Sequence, residues 1–461
     1  MRNAKRFTLL SIISILVILS VGAVQAQDSV QIRWFVGLGA GTDGDLITAQ
    51  QAIVDEFNDS QDAIELVLEV VDNDQAYDVL ATQIAAGNAP DIVGPMGIRG
   101  RESFPGVWRD LTDLIEATEY DLSDFDPALI EFYRVPGQGQ LGIPFAVFPS
   151  FFLYNQSLFD EAGIPYLPTA YGEPYIDGDG NEMEWNMETL RELALFLTVD
   201  ANGNDATMDE FDPENIVQFG FGNQTDVRGR DTLFGAANYV DADGNAVIPE
   251  NWRAAEQWYH QAMWEDFFYP NGVYASSELL GDWWFGTGNL AISNHHLWYM
   301  GWGTANLTDS WDIAPVPSYE GVTTAKLHAD TFSLMDSTEN PEAAFEVLSY
   351  LVGERVEDLN QLYGGMPARI SLQESYFETY IAGLGEGFPD VDWAGLNWDA
   401  AVAGLQFPDN PNHEDGMPAF LEASARYAEY TTLMENNADV DVAAELDALQ
   451  SDLQAIFDAA D

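Results

Sequence analysis

Aromatic rings and planar polar side chains are the residues of this sequence best suited to a binding chemistry. Trp283 and Trp298 lie close together along the chain, and Trp398 follows later. Sugar rings present apolar C–H faces surrounded by hydroxyl groups, so a site for them needs aromatic platforms together with hydrogen-bonding groups. Core packing is the alternative role for each of these tryptophans.

Asn294, His295 and His296 directly precede the central tryptophan, Trp298. A pair of histidines could begin a metal site, but zinc needs three or four ligands, and no third histidine, cysteine or suitably spaced carboxylate accompanies them. A short buried strand is predicted at residues 290–293. We therefore expect Asn294 and His295 to lie in the loop after this strand, where they form a polar wall of a cleft.

An acidic string offers the one cofactor site that the sequence allows, a calcium loop. Asp177, Asp179 and Asn181 occupy its first, third and fifth positions, but the sixth position lacks the expected glycine. Similar strings begin at Asp200 and Asp241. Because Asp-Gly and Asn-Gly pairs are typical of ordinary turns, we favour turns over calcium at all three, and we expect no other cofactor.

The glycine-rich loop at residues 37–45 has the setting of a phosphate-binding loop, between a predicted strand and a predicted helix. It lacks both the GxGxxG spacing and a GK[ST] ending. Its Asp43 and Asp45 would also repel phosphate groups. The sequence therefore predicts no nucleotide site here.

The N-terminus has the pattern of a secretory signal peptide. Arg2, Lys5 and Arg6 precede an apolar run at residues 7–24, and the small residue Ala26 follows it. We expect cleavage after residue 26, with an uncleaved anchor as the alternative. The mature chain would then be periplasmic or extracellular. Because the sequence has no cysteine, we expect no lipid anchor on a cysteine and no disulfide.

The chain is strongly acidic, with a net charge of −61 that is dispersed along its length. Such a surface repels nucleic acid phosphates and anionic lipids, so we expect neither as a partner. Dispersed charge favours a solvated face, although it could also attract a cationic solute. A length of 461 residues is too great for one compact core and is sufficient for two lobes.

Strands and helices alternate over residues 30–94, which predicts a parallel sheet with ligands beyond the carboxyl ends of its strands. The apolar run at residues 141–154 contains Pro144 and Pro149, each of which removes a ladder donor. We therefore expect a strand that crosses between lobes rather than a central strand. Residues 166–250 are predicted to be mainly loops. Helices are predicted at residues 252–267, 341–352 and 442–457, with another crossing strand at 328–334.

The apolar run continues into the string FLYNQSLFDEAGIP from Phe152, and five further strings accompany it in the order found in one family. These five are APDIVG from Ala89, GTGNLAI from Gly286, IAPVP from Ile313, PEAA from Pro341 and GGMPAR from Gly364. Together they resemble the extracellular solute-binding proteins of ABC importers, in the sugar-binding family that includes the maltodextrin-binding proteins. The resemblance implies a periplasmic-binding-protein-like α/β fold, in which two α/β lobes are joined by a three-crossing hinge with a ligand cleft between them.

The resemblance also predicts where the lobes divide. Lobe 1 is expected at residues 27–147 plus 328–368. Lobe 2 is expected at residues 148–327 plus 369–461, including the C-terminal helices.

Several ligand-binding residues follow from matching positions in the family. Trp298 matches an aromatic platform of the second lobe. Thr42 and Asp43 lie in a loop that, in the family, contributes hydrogen-bonding side chains to the solute. Met96 and Arg99 lie in the matching loop after the strand of PDIVG. A surface ion pair is the alternative role for Arg99.

At the hinge, this sequence departs from the family. Phe148 stands where maltodextrin-binding relatives place a carboxylate, and Asp330 stands where many relatives carry paired glycines. Asp330 could accept from sugar hydroxyls, balance a cationic solute, or cap the following segment. Met366 and Arg369, in the last of the five strings, complete the predicted ligand-binding residues.

The expected function is a non-enzymatic, monomeric importer subunit that captures a sugar or oligosaccharide and presents it to the transmembrane subunits of an ABC permease. One alternative keeps the fold and binds a cation such as a polyamine, using Asp43, Asp330 and aromatic rings. The other is a secreted glycoside-acting enzyme, which would need two carboxylates at a set separation.

Overall fold

Two β-sheets organise the chain in the computed structural model, which describes residues 29–39, 41–135, 137–223, 227–304, 307–413 and 415–460. The predicted signal peptide at residues 1–26 lies outside the described residues. No described helix is both long and apolar enough to cross a membrane.

The strands of the described residues are short, and they are numbered here in chain order. They are β1 Val30–Val36, β2 Ile64–Val70, β3 Ile92–Met96, β4 Arg134–Val135, β5 Gly139–Gln140, β6 Ile143–Phe148, β7 Ser150–Asn155, β8 Tyr175–Ile176, β9 Glu182–Met183, β10 Val199–Asp200, β11 Ile216–Asn223, β12 Leu290–His296, β13 Trp311–Ala314, β14 Ser318–Tyr319, β15 Val322–Thr323, β16 His328–Leu334 and β17 Met366–Pro367.

The helices are numbered in the same way. They are α1 Gly44–Ser60, α2 Asn73–Ala85, α3 Ile98–Glu102, α4 Thr112–Thr118, α5 Pro127–Phe132, α6 Gln156–Ala162, α7 Met187–Phe196, α8 Glu250–Trp264, α9 Gly272–Ala275, α10 Met300–Thr304, α11 Pro341–Leu351, α12 Val356–Tyr363, α13 Ile370–Gly387, α14 Trp398–Ala403, α15 Phe420–Asn436 and α16 Val442–Ala460. Short 3-10 helices lie at Val227–Phe234, Phe285–Thr287, Leu297–Tyr299, Trp393–Gly395 and Gly404–Gln406.

The first sheet has the strand order β17-β6-β16-β3-β1-β2. Strands β1, β2 and β3 are parallel, as the alternation of strands and helices predicts, whereas β16, β6 and β17 add antiparallel pairs. The sheet is therefore mixed. It is fixed at its centre by Trp34, whose indole N–H donates to the carbonyl of Gly94 over 2.7 Å.

The second sheet has the order β10-β11-β12-β7-β13. All six residues of β7 are buried, because this strand has a neighbour on each side. Strand β11 lies within residues 166–250, so the prediction of loops there is wrong for this part. Its small residues explain the missed signal: a Cβ at Gly220 would lie 2.0 Å from the carbonyl oxygen of Ala194 on α7, so close packing requires glycine there.

The apolar run with two prolines forms two strands in two different sheets. Pro149 lies between β6 and β7, as expected for a crossing, but Pro144 lies inside β6, between two neighbouring strands. The expectation that Pro144 would avoid a ladder strand is therefore wrong. The strand tolerates it because β17 pairs only with Ala146 and Val147, and because the β16 register shifts beside Thr331.

Two connections join the sheets, and a third leads from the first sheet to α13, whose Tyr380 hydroxyl donates to the carbonyl of Leu297 after β12. These three crossings agree with the predicted architecture. The chain crosses at Pro149, again over residues 315–327 between β13 and β16, and finally between β17 and α13. Every strand of the first sheet lies within the predicted lobe 1 apart from the last residue of β6, Phe148.

The C-terminal helices pack on the second lobe around a buried ion pair. Arg230 donates to a carboxylate oxygen of Glu256 on α8 over 2.7 Å, and neither side chain is exposed by more than 2%. Tyr427 on α15 donates to the other carboxylate oxygen over 3.0 Å. Burial and the neighbouring Glu256 also raise the pKa of Asp231 well above its ordinary value. The pair therefore ties α8 and α15 to the 3-10 helix at Val227–Phe234.

We expect Arg230→Ala to reduce the free energy of unfolding by about 3–5 kcal/mol, because it leaves the Glu256 carboxylate buried without its ion-pair partner. Urea unfolding measures the loss. The matched control is Arg134→Ala, which breaks an exposed pair with Glu131 and should cost less than about 1 kcal/mol. Equal losses for the two variants would contradict a structural role for the buried pair.

Candidate ligand-binding site

A cleft of about 1030 Å³ lies between the carboxyl-end loops of the first sheet and the helices that follow β12 and β17. Its size matches that of ligand pockets in general. Aromatic, acidic and glycine residues dominate its lining: Leu38, Gly39, Gly41, Thr42, Asp43, Asp45, Leu46, Asn73, Tyr77, Gly97, Arg99, Gly100, Phe148, Trp298, Tyr299, Gly301, His328, Asp330, Gln361, Leu362, Tyr363, Gly364, Tyr380, Leu384 and Phe388.

The floor of the cleft is formed by two paired strands of the first sheet. His328 and Asp330 are alternate residues of β16, so both project from the same face. His328 pairs in register with Phe148 of β6, and Asp330 pairs with Ala146. Gly97 lies beside the carboxylate of Asp330, where an added Cβ would be 3.4 Å from the nearer oxygen. The strand register therefore brings Phe148, His328 and Asp330 together.

Asp330 is the electrostatic centre of this floor. It is half-buried, and burial raises its pKa to about 7. No hydrogen bond or ion pair to another described residue offsets the free-energy cost of burying the charged form of Asp330. Its charge in turn contributes to the raised pKa values of the buried hydroxyls of Tyr133 and Tyr363, after burial itself. A carboxylate in this position can accept hydrogen bonds from a ligand or pair with a ligand cation.

Trp298 provides the aromatic wall. It lies in the 3-10 helix Leu297–Tyr299 and meets Phe148 edge to face, with ring centroids 5.3 Å apart. His296 stacks on one face of its indole at 4.5 Å, and His328 meets it at 4.7 Å. The hydroxyl of Ser150, at the start of β7, lies 2.6 Å from His296 Nδ1. The tryptophan is therefore held by residues of both lobes.

The glycine-rich loop forms the mouth of the cleft and brings Thr42 and Asp43 to its edge. Its course depends on Gly41, which has a φ of 105°. The carbonyl of Gly41 accepts from the buried amide of Gln50 over 2.7 Å. Beside this loop, the guanidinium of Arg99 lies 5.0 Å from the ring centroid of Tyr77. Arg99 therefore stacks on an aromatic ring at the mouth, and it forms no ion pair with another residue that the structure describes.

The structure thus brings six predicted residues together in the cleft, namely Thr42, Asp43, Arg99, Phe148, Trp298 and Asp330. Their role in ligand binding stays a prediction. The other seven lie elsewhere, for the following reasons.

Asn294 and His295 belong to β12, which continues three residues beyond the predicted strand. Pairing with Phe152 and Phe151 of β7 extends it, and both side chains are buried. Burial lowers the pKa of His295 to about 3. The prediction of a cleft-facing loop at Asn294 and His295 is therefore wrong.

Met96 and Met366 are also core residues, exposed by 1% or less. Arg369 lies at the N-terminus of α13, where its guanidinium is 4.7 Å from the ring centroid of Phe125 and 3.7 Å from a carboxylate oxygen of Asp124. Arg369 therefore connects α13 to lobe 1 and does not reach the cleft.

Trp283 and Trp398 form an outer layer behind the cleft. The ring of Trp283 packs against Tyr299 at 5.2 Å, and Trp398 packs against Tyr380 at 6.0 Å while donating to the carbonyl of Trp393. Tyr299 and Tyr380 line the cleft in their place. Core packing, the alternative role for these two tryptophans, describes Trp398, whereas Trp283 is half-buried.

Several cleft residues were not predicted from the sequence. His328 could have been found, because it stands two residues before Asp330 in a predicted strand. Tyr77, Tyr363 and Phe388 come from three separate helices or helix ends, and no local pattern connects them.

The acidic string at Asp177 forms a hairpin turn between β8 and β9. The Asp177 carboxylate accepts from the backbone of Asp179 and Asn181 and from the Asn181 amide, and these hydrogen bonds lower its pKa. The strings at Asp200 and Asp241 make the same contacts. Within the described residues, no group of three or more histidine, cysteine or acidic side chains is placed to hold a metal.

We expect Asp330→Asn to flatten the pH dependence of folding stability between about pH 4 and pH 7. The folded-state pKa is raised, so the folded chain keeps this proton where the unfolded chain has lost it, and wild-type stability falls as the pH rises through this window. Urea unfolding at several pH values provides the measurement. The control is Asp62→Asn, just before β2 and far from the cleft, which should retain the slope of stability against pH. An unchanged slope in Asp330→Asn would contradict the raised pKa assigned to Asp330.

Comparisons with known proteins agree with this geometry. The family model described as bacterial extracellular solute-binding protein matches residues 44–358. No curated protein sequence matches the chain.

Solved structures of similar fold cover almost the whole chain. One is an ABC substrate-binding protein of Listeria monocytogenes in complex with cycloalternan (18% identity, TM-score 0.68, 93% of this chain and 99% of that one). Another is UgpB of Mycobacterium tuberculosis in complex with glycerophosphocholine, with 16% identity and a TM-score of 0.67 over 94% of this chain and 99% of that one. A third is the maltotriose-binding protein of Thermus thermophilus, with 17% identity and a TM-score of 0.60 over 92% of this chain and 99% of that one. With the family model matching well over half of its length, this chain belongs to the bacterial extracellular solute-binding proteins.

Proposed function

We propose that the protein captures a sugar or oligosaccharide outside the cytoplasm and delivers it to the transmembrane subunits of an ABC importer. The observation that carries this proposal is the cleft between the two sheets, where aromatic rings and hydrogen-bonding groups line one continuous surface. The family supports export and solute binding, and similar structures hold cycloalternan and maltotriose.

The lining suits a polyhydroxylated ring. Trp298 is half-buried and presents part of its indole to the cleft, while Phe148, which is only 4% exposed, meets it edge to face and supports it, so that a sugar ring could pack on the indole. Thr42 and Gln361 supply neutral donors and acceptors in the same lining, where Asn73 donates to the carbonyl of Gly37 over 2.8 Å. A ligand made only of apolar groups would offer no hydrogen bonds to Thr42 and Gln361.

Closure of the cleft is supported by a contact that joins distant parts of the chain. Arg101 of α3 is buried and donates to Asp415 over 2.8 Å and to the carbonyl of Phe132 over 3.0 Å. Asp415 belongs to the segment before α15, and this segment also binds the second crossing, because Asp409 accepts from the backbone of Leu327. A ligand that favours the closed lobes would strengthen such contacts.

A binding role without catalysis is part of the proposal, as is a monomeric state. The alternatives are a cationic solute such as a polyamine and a secreted glycoside-acting enzyme. Incubation with labelled oligosaccharides separates the last from binding: stoichiometric retention without product supports capture, whereas repeated turnover contradicts it. A thermal-shift screen that includes sugars and polyamines tests the solute class, because a ligand that binds only the folded state raises the midpoint.

Trp298→Ala should weaken the binding of any sugar identified in that screen by roughly tenfold or more, since a desolvated aromatic anchor is lost from the cleft. Titration calorimetry measures the change. Trp264→Ala is the matched control: its indole donates to the carbonyl of Met434, in a part of lobe 2 outside the cleft lining, and sugar affinity should be retained. Similar losses of sugar affinity in both variants would show that Trp298 is not part of the binding site.

A further inference from the structure

The charges around the cleft are strongly unbalanced. Among the described residues that line it, Asp43, Asp45 and Asp330 carry carboxylates, and Arg99 is the single lysine or arginine. Arg99 is exposed and stacks on Tyr77 at the mouth, away from the floor. The whole chain carries a net charge of −61, so the electrostatic field at the cleft attracts cations and repels anions.

Asp330 is the one of these carboxylates that lies on the floor. It belongs to β16, and the residues beside it in the sheet, Ala146 of β6 and Gly97 after β3, have no side chain that could donate to it. Asp43 and Asp45, by contrast, are exposed at the N-terminus of α1, where water solvates them. A half-buried carboxylate without a partner is costly, and a bound cation would remove that cost.

The surroundings of Asp330 are aromatic, which also favours a cation. Phe148 and His328 are its neighbours on the paired strands, and Trp298 packs against both of them. An ammonium group held by a carboxylate beside aromatic rings gains from the ion pair and from the ring quadrupoles together.

We propose that the solute is a basic sugar, whose protonated amine pairs with Asp330 while its ring packs on Trp298. This inference rests on the proposed function and names its substrate class. An acidic or phosphorylated sugar would meet the carboxylates unfavourably. A polyamine would satisfy Asp330 but has no hydroxyl groups to offer to Thr42 and Gln361.

The test uses the purified mature protein and three ligands that share one ring: glucosamine, N-acetylglucosamine and glucose, with the corresponding galactose series beside them. Titration calorimetry at about pH 7.5 compares their affinities. The amine should bind roughly tenfold or more tightly than its N-acetylated and hydroxyl counterparts in at least one series, because a charge-assisted hydrogen bond is lost in both counterparts. Added salt should reduce this preference.

Asp330→Asn should abolish the preference for the amine, so that the amine and its N-acetylated counterpart bind the variant with affinities within about twofold of each other. Asp62→Asn removes the same charge far from the cleft and should keep the preference. If Asp330→Asn fails to fold, the ligand series on the wild-type protein still decides the question. Equal or tighter binding of neutral sugars, or no binding of any amino sugar, overturns the basic-sugar inference, and neutral binding leaves sugar capture intact. Binding of polyamines without any sugar overturns both proposals.

Discussion

A single residue between two buried strands is the constraint on which this architecture depends. Strands β6 and β7 are both fully buried, they belong to different sheets, and Pro149 alone separates them. Because the connection is a single residue, the end of β6 and the start of β7 bring the two sheets together at this point. The carbonyl of Pro149 accepts from the backbone of Leu297, the residue before Trp298, so the crossing also fixes where the aromatic wall begins. The cleft floor and wall are consequences of this junction.

The same junction explains the division of chemistry within the cleft. Lobe 1 contributes the carboxylates, the polar loop and His328 together with Tyr77 and Tyr363, whereas lobe 2 contributes Trp298 and Tyr299. His296 joins the two sets, since it stacks on Trp298 and also meets His328 at 4.6 Å. The carboxylates of the cleft therefore all lie on one side of it, and aromatic rings lie on both.

Much of this arrangement follows from local sequence. Strand β16 spans the predicted residues, α6 ends before Gly163, which adopts the left-handed conformation expected of a helix C-terminus, and α16 begins at Val442 as predicted. Periodicity and turn residues carry such elements because their causes are local. Asn340 precedes α11 but makes no side-chain cap hydrogen bond. The start of this helix was therefore predictable from the sequence, whereas the hydrogen bonding of Asn340 was not.

The failures have tertiary causes. Asn294 and His295 are polar, and only pairing with β7 brings them into a buried strand. Arg369 is removed from the cleft by Tyr120, Phe125 and Asp124, which are distant in sequence. Six cleft residues were predicted from matching positions in the family: Thr42, Asp43 and Arg99 follow strands of the first sheet, and Phe148, Asp330 and Trp298 lie in β6, in β16 and in the 3-10 helix after β12. The aromatic residues of α12 and α13 could not be predicted from the sequence, because only tertiary packing brings those helices to the cleft.

The alternation along β16 separates the evolution of selectivity from that of the fold. Ala329 and Thr331 point away from the cleft into well-packed surroundings, and Thr331 donates to the carbonyl of Ile143 over 2.7 Å. His328 and Asp330 point toward the cleft from the same strand. Substitutions at these two positions can change the charge of the cleft while the alternate positions, Ala329 and Thr331, preserve the packing of the sheet. One strand thus separates residues that pack the fold from residues that set the charge of the cleft.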